Sequence, residues 1–294
     1  MDENPLSKEE TTRKESPCKM KVHAIQTGTV RVKSSQRIGR GWGPMRQFHV
    51  LFDWTWTEPL PIYAWAIETD EGVIVVDTGE TAKTREPGYF PFWHPYFRLA
   101  VRVDVTPDQE IGPRLLEIGI RPDDVRTVIL THLHTDHAGG LHHFPKSEIF
   151  VSDTDYQLAK GFAGRVRGYL PNRWPIWFAP KPISFQPKPF ETFDRSCQVT
   201  RDGKVVIVPT PGHTPGHVSV IVADGDVSYF LAGDTTYTQQ ALLEQQVDGV
   251  SPNKAEAIRT LATILAFAKS RPMVYLPSHD PESMERLNLA ATVP

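Results

Sequence analysis

The stretch that decides the fold reads Thr131-His132-Leu133-His134-Thr135-Asp136-His137-Ala138-Gly139-Gly140. Its three imidazoles and one carboxylate are ligands that suit zinc and similar divalent cations. The preceding Val128-Ile129-Leu130 predicts the end of a buried strand. Because alternate positions of an extended chain face the same way, His132 and His134 can converge on one point. Asp136 and His137 are adjacent, so they diverge and could serve a second point nearby.

Composition and charge exclude several classes of protein. At 294 residues, of which 39% are hydrophobic, the chain is long enough to bury a sizeable core. A net charge of -3 without long Lys or Arg runs gives no electrostatic indication of nucleic-acid binding. No stretch approaches the roughly 18 uninterrupted apolar residues that a membrane-spanning helix needs.

The N-terminal residues differ in character from the rest of the chain. Residues 1–19 are polar and lack the apolar run of a signal peptide. We therefore expect a disordered tail over residues 1–20 and a single catalytic domain over residues 21–294. Two cysteines, Cys18 and Cys197, do not indicate a disulfide framework. A cytoplasmic location is the simplest expectation.

Hydrophobic periodicity predicts a mixed α/β fold. Apolar runs predict strands at residues 21–25, 62–67, 73–76, 127–130, 148–151, 205–208, 218–222, 227–231 and 273–276. Helical periodicity marks residues 110–118, 153–160 and 254–270. Strands in hairpins and runs, with helices between them, predict sheets that are covered by helices.

Three segments rich in aromatic residues interrupt this pattern, at residues 38–61, 87–101 and 162–193. Connections of this length are usually functional or disordered, and their aromatic content argues against disorder. These side chains could fill satellite cores or a subunit interface, or they could form the walls of an apolar pocket over the metal site. Both interpretations can hold for different residues.

Further candidate ligands follow predicted apolar strands. His213 lies in a rigid Pro- and Gly-rich loop, whereas His217 precedes the next strand and is expected to hold that loop by hydrogen bonds. Asp234 could bridge two cations with its two oxygens, although a carboxylate at a strand end also suits a cap or turn. His279 follows the last strand. Asp77, at the end of an earlier one, could orient a ligand imidazole from outside.

Taken in order, these motifs resemble those of the metallo-β-lactamase superfamily. The motifs are Asp77-Thr78-Gly79, His132-x-His134-x-Asp136-His137, Gly212-His213, Gly233-Asp234 and Ser278-His279. The resemblance covers residues 21 to 280 and implies a four-layer αβ/βα sandwich, with two mixed sheets face to face, helices outside and a dinuclear site at one edge. It implies that one cation is held by His132, His134 and His213, the other by Asp136, His137 and His279, with Asp234 bridging them.

Within this superfamily the residues favour one branch. The ligand positions contain no Cys, unlike the antibiotic-hydrolysing branch that uses one, and His134 stands where the flavin-linked di-iron branch has Glu. Tyr237, three residues after Asp234, resembles the N-acyl homoserine lactonases, which place a tyrosine beside the metals. Thr135 departs from some of these lactonases, which carry a large apolar residue there, so the acyl-chain preference stays open.

This resemblance implies a quorum-quenching hydrolase that opens the lactone ring of N-acyl homoserine lactones with a hydroxide shared by two divalent cations. Tyr237 and Asp136 are the expected catalytic residues, the first as a hydrogen-bond donor and the second as a proton carrier. The ligands suit zinc, although iron, cobalt or manganese also fit. The expected partner is a small lactone, with neither nucleic acid nor membrane, and the aromatic loops are compatible with a homodimer.

Alternative functions use the same ligands. A glyoxalase-II-like thioesterase normally adds basic residues near the C-terminus, where residues 281–294 offer only Arg286. A phosphoesterase of the same superfamily is a further alternative. A binding protein that has lost its metals is the non-enzymatic interpretation, and the complete ligand set argues against it.

Overall fold

The structure is a computed structural model that describes residues 20–294. The predicted tail, apart from Met20, and Cys18 lie outside the described residues. Twelve strands are found within that range. They are β1 Lys21–Val32, β2 Leu60–Thr69, β3 Gly72–Val76, β4 Val101–Asp104, β5 Val125–Ile129, β6 Glu148–Val151, β7 Lys181–Pro182, β8 Cys197–Gln198, β9 Val205–Pro209, β10 Val218–Asp224, β11 Val227–Gly233 and β12 Met273–Pro277.

The strands form two mixed sheets. The first has seven strands in the order β4-β1-β2-β3-β5-β6-β7, and the second has five in the order β12-β11-β10-β9-β8. In the first sheet, β3, β5, β6 and β7 run parallel, whereas β1, β2 and β3 pair antiparallel. In the second sheet only β11 and β12 are parallel neighbours.

Within residues 20–294, ten α-helical segments connect and cover the sheets. They are α1 Ser34–Arg37, α2 Pro44–Phe52, α3 Pro95–Leu99, α4 Ile111–Glu117, α5 Thr135–Ala138, α6 Asp153–Ala159, α7 Gly161–Val166, α8 Gln239–Leu243, α9 Lys254–Ser270 and α10 Ser283–Leu289. The longest, α9, begins at an Asn253 cap whose side chain accepts from the Glu256 amide. Among the described residues, no helix is long and apolar enough to cross a bilayer.

Both faces of each sheet are buried, as a four-layer arrangement requires. Along β2, Trp65 and Ile67 face the other sheet, whereas Ala64 and Ala66 face the helical layer that includes α4. The second sheet alternates in the same way: residues of β9 contribute in turn to the layer between the sheets and to the layer under α9. Because successive side chains of a strand point to opposite faces, a sheet that is buried on both faces needs strands that are apolar at nearly every position. The predicted fold class is confirmed.

The aromatic segments contain more regular structure than their composition suggests. Segment 38–61 includes α2, and segment 87–101 contains α3 and leads into β4. Trp174 and Phe178 pack into the core that includes α4, whereas Trp93 lines a cavity and Trp54 is exposed. Core filling and pocket walls therefore both occur, for different residues.

Candidate metal centre

The candidate ligands meet at one edge of the sandwich because each follows the end of a strand. His132, His134, Asp136 and His137 come after β5, and Asp77 comes after β3 in the same sheet. His213 follows β9, Asp234 follows β11 and His279 follows β12 in the other sheet. Backbone hydrogen bonds join the sheets here, from the Val218 amide to the Thr131 carbonyl and from the Tyr63 amide to the Ser278 carbonyl.

One group of donors consists of three imidazoles. His132 Nε2 lies 2.9 Å from His134 Nδ1, which lies 3.0 Å from His213 Nε2. Nitrogens that share a tetrahedral cation with bonds of about 2.0–2.1 Å lie roughly 3.3 Å apart, which is close to this spacing. The two ligands from the first sheet and the one from the second can therefore serve a single cation.

The other group combines a carboxylate with two imidazoles, those of Asp136, His137 and His279. His279 Nε2 lies 3.3 Å from Asp136 Oδ2, and His137 Nε2 lies 4.0 Å from Asp136 Oδ1. The Asp136 side chain is 20% exposed, whereas both imidazoles are buried. Of the three, Asp136 has the most exposed side chain.

Asp234 stands between the two groups. Its Oδ1 lies 3.3 Å from His137 Nε2 and 3.4 Å from His279 Nε2, and its Oδ2 lies 3.4 Å from His213 Nε2. Each carboxylate oxygen thus faces a different group of imidazoles. This is the arrangement that a bridging ligand needs.

The outward ring nitrogens of the histidines have partners of their own. His137 Nδ1 lies 2.8 Å from Asp77 Oδ2, His213 Nδ1 lies 2.9 Å from Asp248 Oδ2, and His279 Nδ1 lies 2.8 Å from the Pro61 carbonyl. An acceptor at Nδ1 holds the proton there and leaves Nε2 free to bind a cation. These outer partners therefore fix the tautomer and direct the ligating atom inward.

Asp77 is held in a strained backbone conformation. It is fully buried, and its φ of 61° lies in the left-handed region that residues other than glycine rarely occupy. Its carboxylate accepts from the Thr131 amide at 2.8 Å, from the Thr131 hydroxyl and from His137. Strain of this kind persists where surrounding contacts determine the geometry, as they do at functional sites.

The carboxylates set the charge of the cluster. Burial lowers the pKa of His137, but Asp234 and Asp77 raise it well above the usual histidine value. For His279, Asp234 and Asp136 outweigh burial and raise the pKa to about 10. Burial and the neighbouring His137 hold the pKa of His132 well below normal. The negative potential that raises the first two pKa values would also attract a divalent cation.

Two buried polar atoms without hydrogen-bond partners also indicate that these residues fit a metal. Among the described residues, neither His137 Nε2 nor Asp234 Oδ1 has a hydrogen-bond partner, although both atoms are buried. Buried polar atoms are nearly always paired, so an unpaired nitrogen and an unpaired oxygen that face each other suggest a cation between them. The donors are nitrogen and oxygen without sulfur, which suits zinc and the harder first-row ions.

His217 does not belong to these groups. Its Nδ1 lies 2.9 Å from the Thr210 hydroxyl, and its Nε2 accepts from the Asp234 amide at 3.1 Å. Both ring nitrogens are therefore used to hold the loop and the strand end. The structure places His217 in the supporting role that the sequence suggested.

Tyr237 lies beside the second group of ligands. Its ring stacks on His279 with centroids 5.5 Å apart, and the side chain is 3% exposed. Gln36 Nε2 donates to the Tyr237 hydroxyl and to the Tyr96 hydroxyl, both at 2.9 Å. Burial and the nearby Asp234 raise the pKa of Tyr237 well above its ordinary value, so the hydroxyl keeps its proton. Because it accepts from Gln36, that proton is free to be donated elsewhere.

A cavity of about 600 Å³ opens over the ligands. Its floor includes His134, Asp136, Asp234 and His279, together with Tyr237. Its walls are mostly apolar, with Val50 and Leu51 of α2, Phe90, Trp93, Val101 and Val103 near α3 and β4, and Leu158 and Val166 of α6 and α7. Among the described lining residues, Arg167 is the single Lys or Arg.

Sequence reasoning missed several residues that support the site. Asp248 orients His213, Asp155 accepts from the Leu133 amide at 2.8 Å, and Gln36 joins two tyrosine hydroxyls. Asp248-Gly249-Val250-Ser251 carries a turn signal, and its carboxylate does accept from the Ser251 amide. That signal predicts the turn but not the partner, which lies 35 residues earlier.

Comparisons with known proteins identify the family of the chain. A sequence profile of the metallo-beta-lactamase superfamily matches residues 57–279. An N-acyl homoserine lactonase of Bacillus thuringiensis subsp. kurstaki is 29% identical over 229 residues, which cover 76% of this chain and 82% of that protein. A probable metallo-hydrolase of Mycobacterium tuberculosis is 32% identical over 181 residues, covering 60% of this chain; the match spans 57% of that relative's length.

A solved structure extends the similarity to the fold. The structure of an N-acyl homoserine lactone hydrolase, with the product N-hexanoyl-L-homoserine bound at its catalytic metal centre, superposes with a TM-score of 0.73. The match covers 92% of this chain and 96% of the other at 24% sequence identity. The two-sheet architecture is therefore shared over nearly the whole of both chains.

Proposed function

The chain belongs to the metallo-β-lactamase superfamily, and on that premise we propose that it is a metal-dependent hydrolase that opens the ring of N-acyl homoserine lactones. The sequence similarity to a lactonase over 82% of that relative's length supports the proposal. Fold alone does not decide among the activities of a superfamily, so the proposal is argued from the cavity and from Tyr237.

The observation that carries the proposal is the apolar cavity that ends on the ligand cluster. A lactone head group needs to reach the cations, and an acyl chain needs an apolar wall next to them. Val50, Leu51, Phe90 and Trp93 supply such a wall. A phosphoester or a glutathione thioester would favour several cationic side chains, whereas Arg167 alone is available among the described lining residues.

Gln36 supports a substrate that carries an amide. Its side chain is 4% exposed and lines the cavity, and its Oε1 has no hydrogen-bond partner among the described residues. A buried acceptor without a donor favours a ligand that supplies an N–H. The amide of an N-acyl homoserine lactone would supply it, and a simple alkyl lactone would not.

The ligand sets proposed for the two cations are those that the family resemblance implies. His132, His134 and His213 would hold one, Asp136, His137 and His279 the other, and Asp234 both. A pair of divalent cations there would supply a water of lowered pKa and would polarise the carbonyl oxygen of the ester. Zinc is the cation proposed, with iron, cobalt or manganese as alternatives, because the donors are imidazole and carboxylate.

The protein's own side chains would position the substrate, transfer the proton and orient the ligands. The Tyr237 hydroxyl, which accepts from Gln36, would donate its hydrogen bond to the carbonyl or ring oxygen of the lactone. Asp136, whose side chain is 20% exposed, would take a proton from the attacking water and return it to the leaving ring oxygen. Asp77 would hold His137 in the ligating tautomer throughout.

The test is a lactone-opening assay on metal-loaded protein, followed by proton release at constant pH. N-acyl homoserine lactones of different acyl length are compared with γ-alkyl lactones that lack the amide, with a thioester and with a phosphodiester. We expect opening of the acyl homoserine lactones, and a kcat/KM at least about tenfold lower for the lactones without the amide. Metal-loaded protein that leaves every lactone intact but cleaves the thioester or phosphodiester contradicts the proposal.

A further inference from the structure

A second cluster of metal-ligating side chains lies apart from the cavity. We propose that Glu110, His142 and His143 form a separate divalent-cation site, with a structural rather than a catalytic role. None of the three is among the described residues that line the cavity. The proposal concerns a different set of side chains from the proposed lactonase site and stands independently of that activity.

Three donor atoms converge in this cluster. His142 Nε2 lies 2.9 Å from Glu110 Oε2, and His143 Nε2 lies 2.7 Å from the same oxygen. The two rings are stacked at a tilt with centroids 4.1 Å apart, which brings both nitrogens to one side of the carboxylate. Two imidazoles and one carboxylate form a donor set that binds zinc with coordination positions left for water.

The surroundings of His142 suit an imidazole that binds a cation through Nε2. Its Nδ1 lies 3.3 Å from the carbonyl oxygen of Gly139, an atom that can only accept. A cation at Nε2 would leave the proton of His142 on Nδ1, where it would donate to this carbonyl, in the arrangement typical of a metal-ligating histidine. Nε2 lies 2.9 Å from Glu110 Oε2, so these two neighbouring atoms would both be available to one cation.

The two carboxylate oxygens of Glu110 have different partners, and one of them could bind a cation. Its other oxygen, Oε1, accepts from the Thr81 hydroxyl at 3.0 Å and from the Ala82 amide at 2.8 Å, so Oε2 is left for the histidines. One carboxylate oxygen is therefore held by the loop that follows β3, and the other faces both imidazoles.

The cluster has access to solvent and little room to rearrange. The side chains of His142 and His143 are 33% and 22% exposed, so water could complete the coordination of an ion. On its other side, His143 packs against Gly112 of α4, where any Cβ would meet the ring. The histidine is therefore held in place by close packing before any ion arrives.

A cation here would join three segments of chain. Glu110 precedes α4, Thr81 and Ala82 belong to the loop that follows β3, and both histidines lie in the 3-10 turn Gly139–His143 that follows α5. The same loop carries Asp77, and α5 carries Asp136 and His137. The ion would therefore brace, from outside, the two segments that support the candidate metal centre.

The experiment counts zinc ions bound to the full-length, metal-loaded protein. Protein is dialysed to equilibrium against buffers of graded free Zn²⁺, and bound zinc is measured by mass spectrometry. Wild type is compared with His142→Gln and His143→Gln. The matched control is His23→Gln, because His23 Nε2 also contacts a carboxylate, Glu68 Oε1 at 2.6 Å, but has no third ligand within reach among the described residues.

We expect wild type and His23→Gln to bind one zinc equivalent more than His142→Gln and His143→Gln, whose affinity for that ion falls at least about tenfold. The comparison is between variants, so it holds whether the other centre takes one ion or two. Thermal unfolding gives a second measurement, since added zinc should raise the Tm of wild type further than that of His143→Gln. Equal zinc content in all four proteins, or a wild type in which the extra ion never appears, overturns the proposal.

Discussion

Replacing Asp248 by Asn tests whether a carboxylate outside the ligand set controls the metal. Asp248 Oδ2 accepts from His213 Nδ1 at 2.9 Å and from the Ser251 hydroxyl at 3.0 Å, and Oδ1 accepts from the Val250 and Ser251 amides. Asn can keep the two backbone hydrogen bonds through its oxygen. Its NH₂ group then faces His213 Nδ1, which drives the histidine proton to Nε2, the atom that should bind the cation.

The size of the effect follows from these contacts. Loss of an outer partner of a ligating histidine typically weakens metal binding about 10- to 100-fold, or roughly 1.4–2.7 kcal/mol. Loss of a buried hydrogen bond to a charged group costs about 1.5–3 kcal/mol of folding free energy. We therefore expect Asp248→Asn to fold, to bind the cation proposed at His213 about 10- to 100-fold less tightly, and to unfold at a lower denaturant concentration.

Metal affinity is measured by competition with a chelator, which gives bound metal as a function of free metal. Denaturant unfolding measures the free energy of unfolding. Asp202→Asn is the matched control, because Asp202 also caps a turn, accepting from Thr200 Oγ1 at 2.6 Å and the Lys204 amide at 3.0 Å. That turn precedes β9, at the end of the strand opposite to His213. If Asp248→Asn keeps the metal affinity of wild type within about twofold, Asp248 serves only the turn and the tautomer argument fails.

Four further results are expected. Tyr237→Phe should lower kcat about a hundredfold with unchanged metal content, since it removes one positioned donor; unaltered kcat would leave Tyr237 a packing residue. Gln36→Glu should lower kcat by a similar factor, because its carboxylate would accept the hydrogen bond that Tyr237 donates. Gln36→Met should lower kcat less. Gly233→Ala should cost about 2–4 kcal/mol of stability in urea unfolding, because φ is 56° and a Cβ would lie 2.6 Å from His217 Nε2. Removal of metal by a chelator should lower the Tm, with recovery on readdition of zinc, and an unchanged Tm would show that the ligands carry no ion.

The strands could be predicted from the sequence because they depend on local pattern, and the ligand assignment stays a prediction. The hairpin of β2 and β3 has the alternation and turn residues that indicate it, and α9 has an apolar face and a cap at Asn253. Each candidate ligand follows an apolar strand, so a strand prediction also predicts where its polar end lies. The family and the two-sheet fold are confirmed on these grounds.

The remainder depends on contacts between distant parts of the chain. Gln36 reaches Tyr237 across 201 positions, and no local pattern around Gln36 distinguishes it from any surface glutamine. Short helices such as α2 take their stability from packing rather than from their own periodicity. The cytoplasmic location, the homodimer and the N-terminal tail stay predictions.

The floor of the cavity and part of its wall come from different kinds of structure. The ligands stand at the ends of strands that are fixed by two buried sheets, whereas Leu51, Trp93 and Val166 belong to connecting segments at the surface of the fold. A substitution confined to these segments would change the shape of the cavity without replacing a residue of either sheet. Under the proposed function, such substitutions would alter which substrates fit while the candidate ligands stay at the same strand ends.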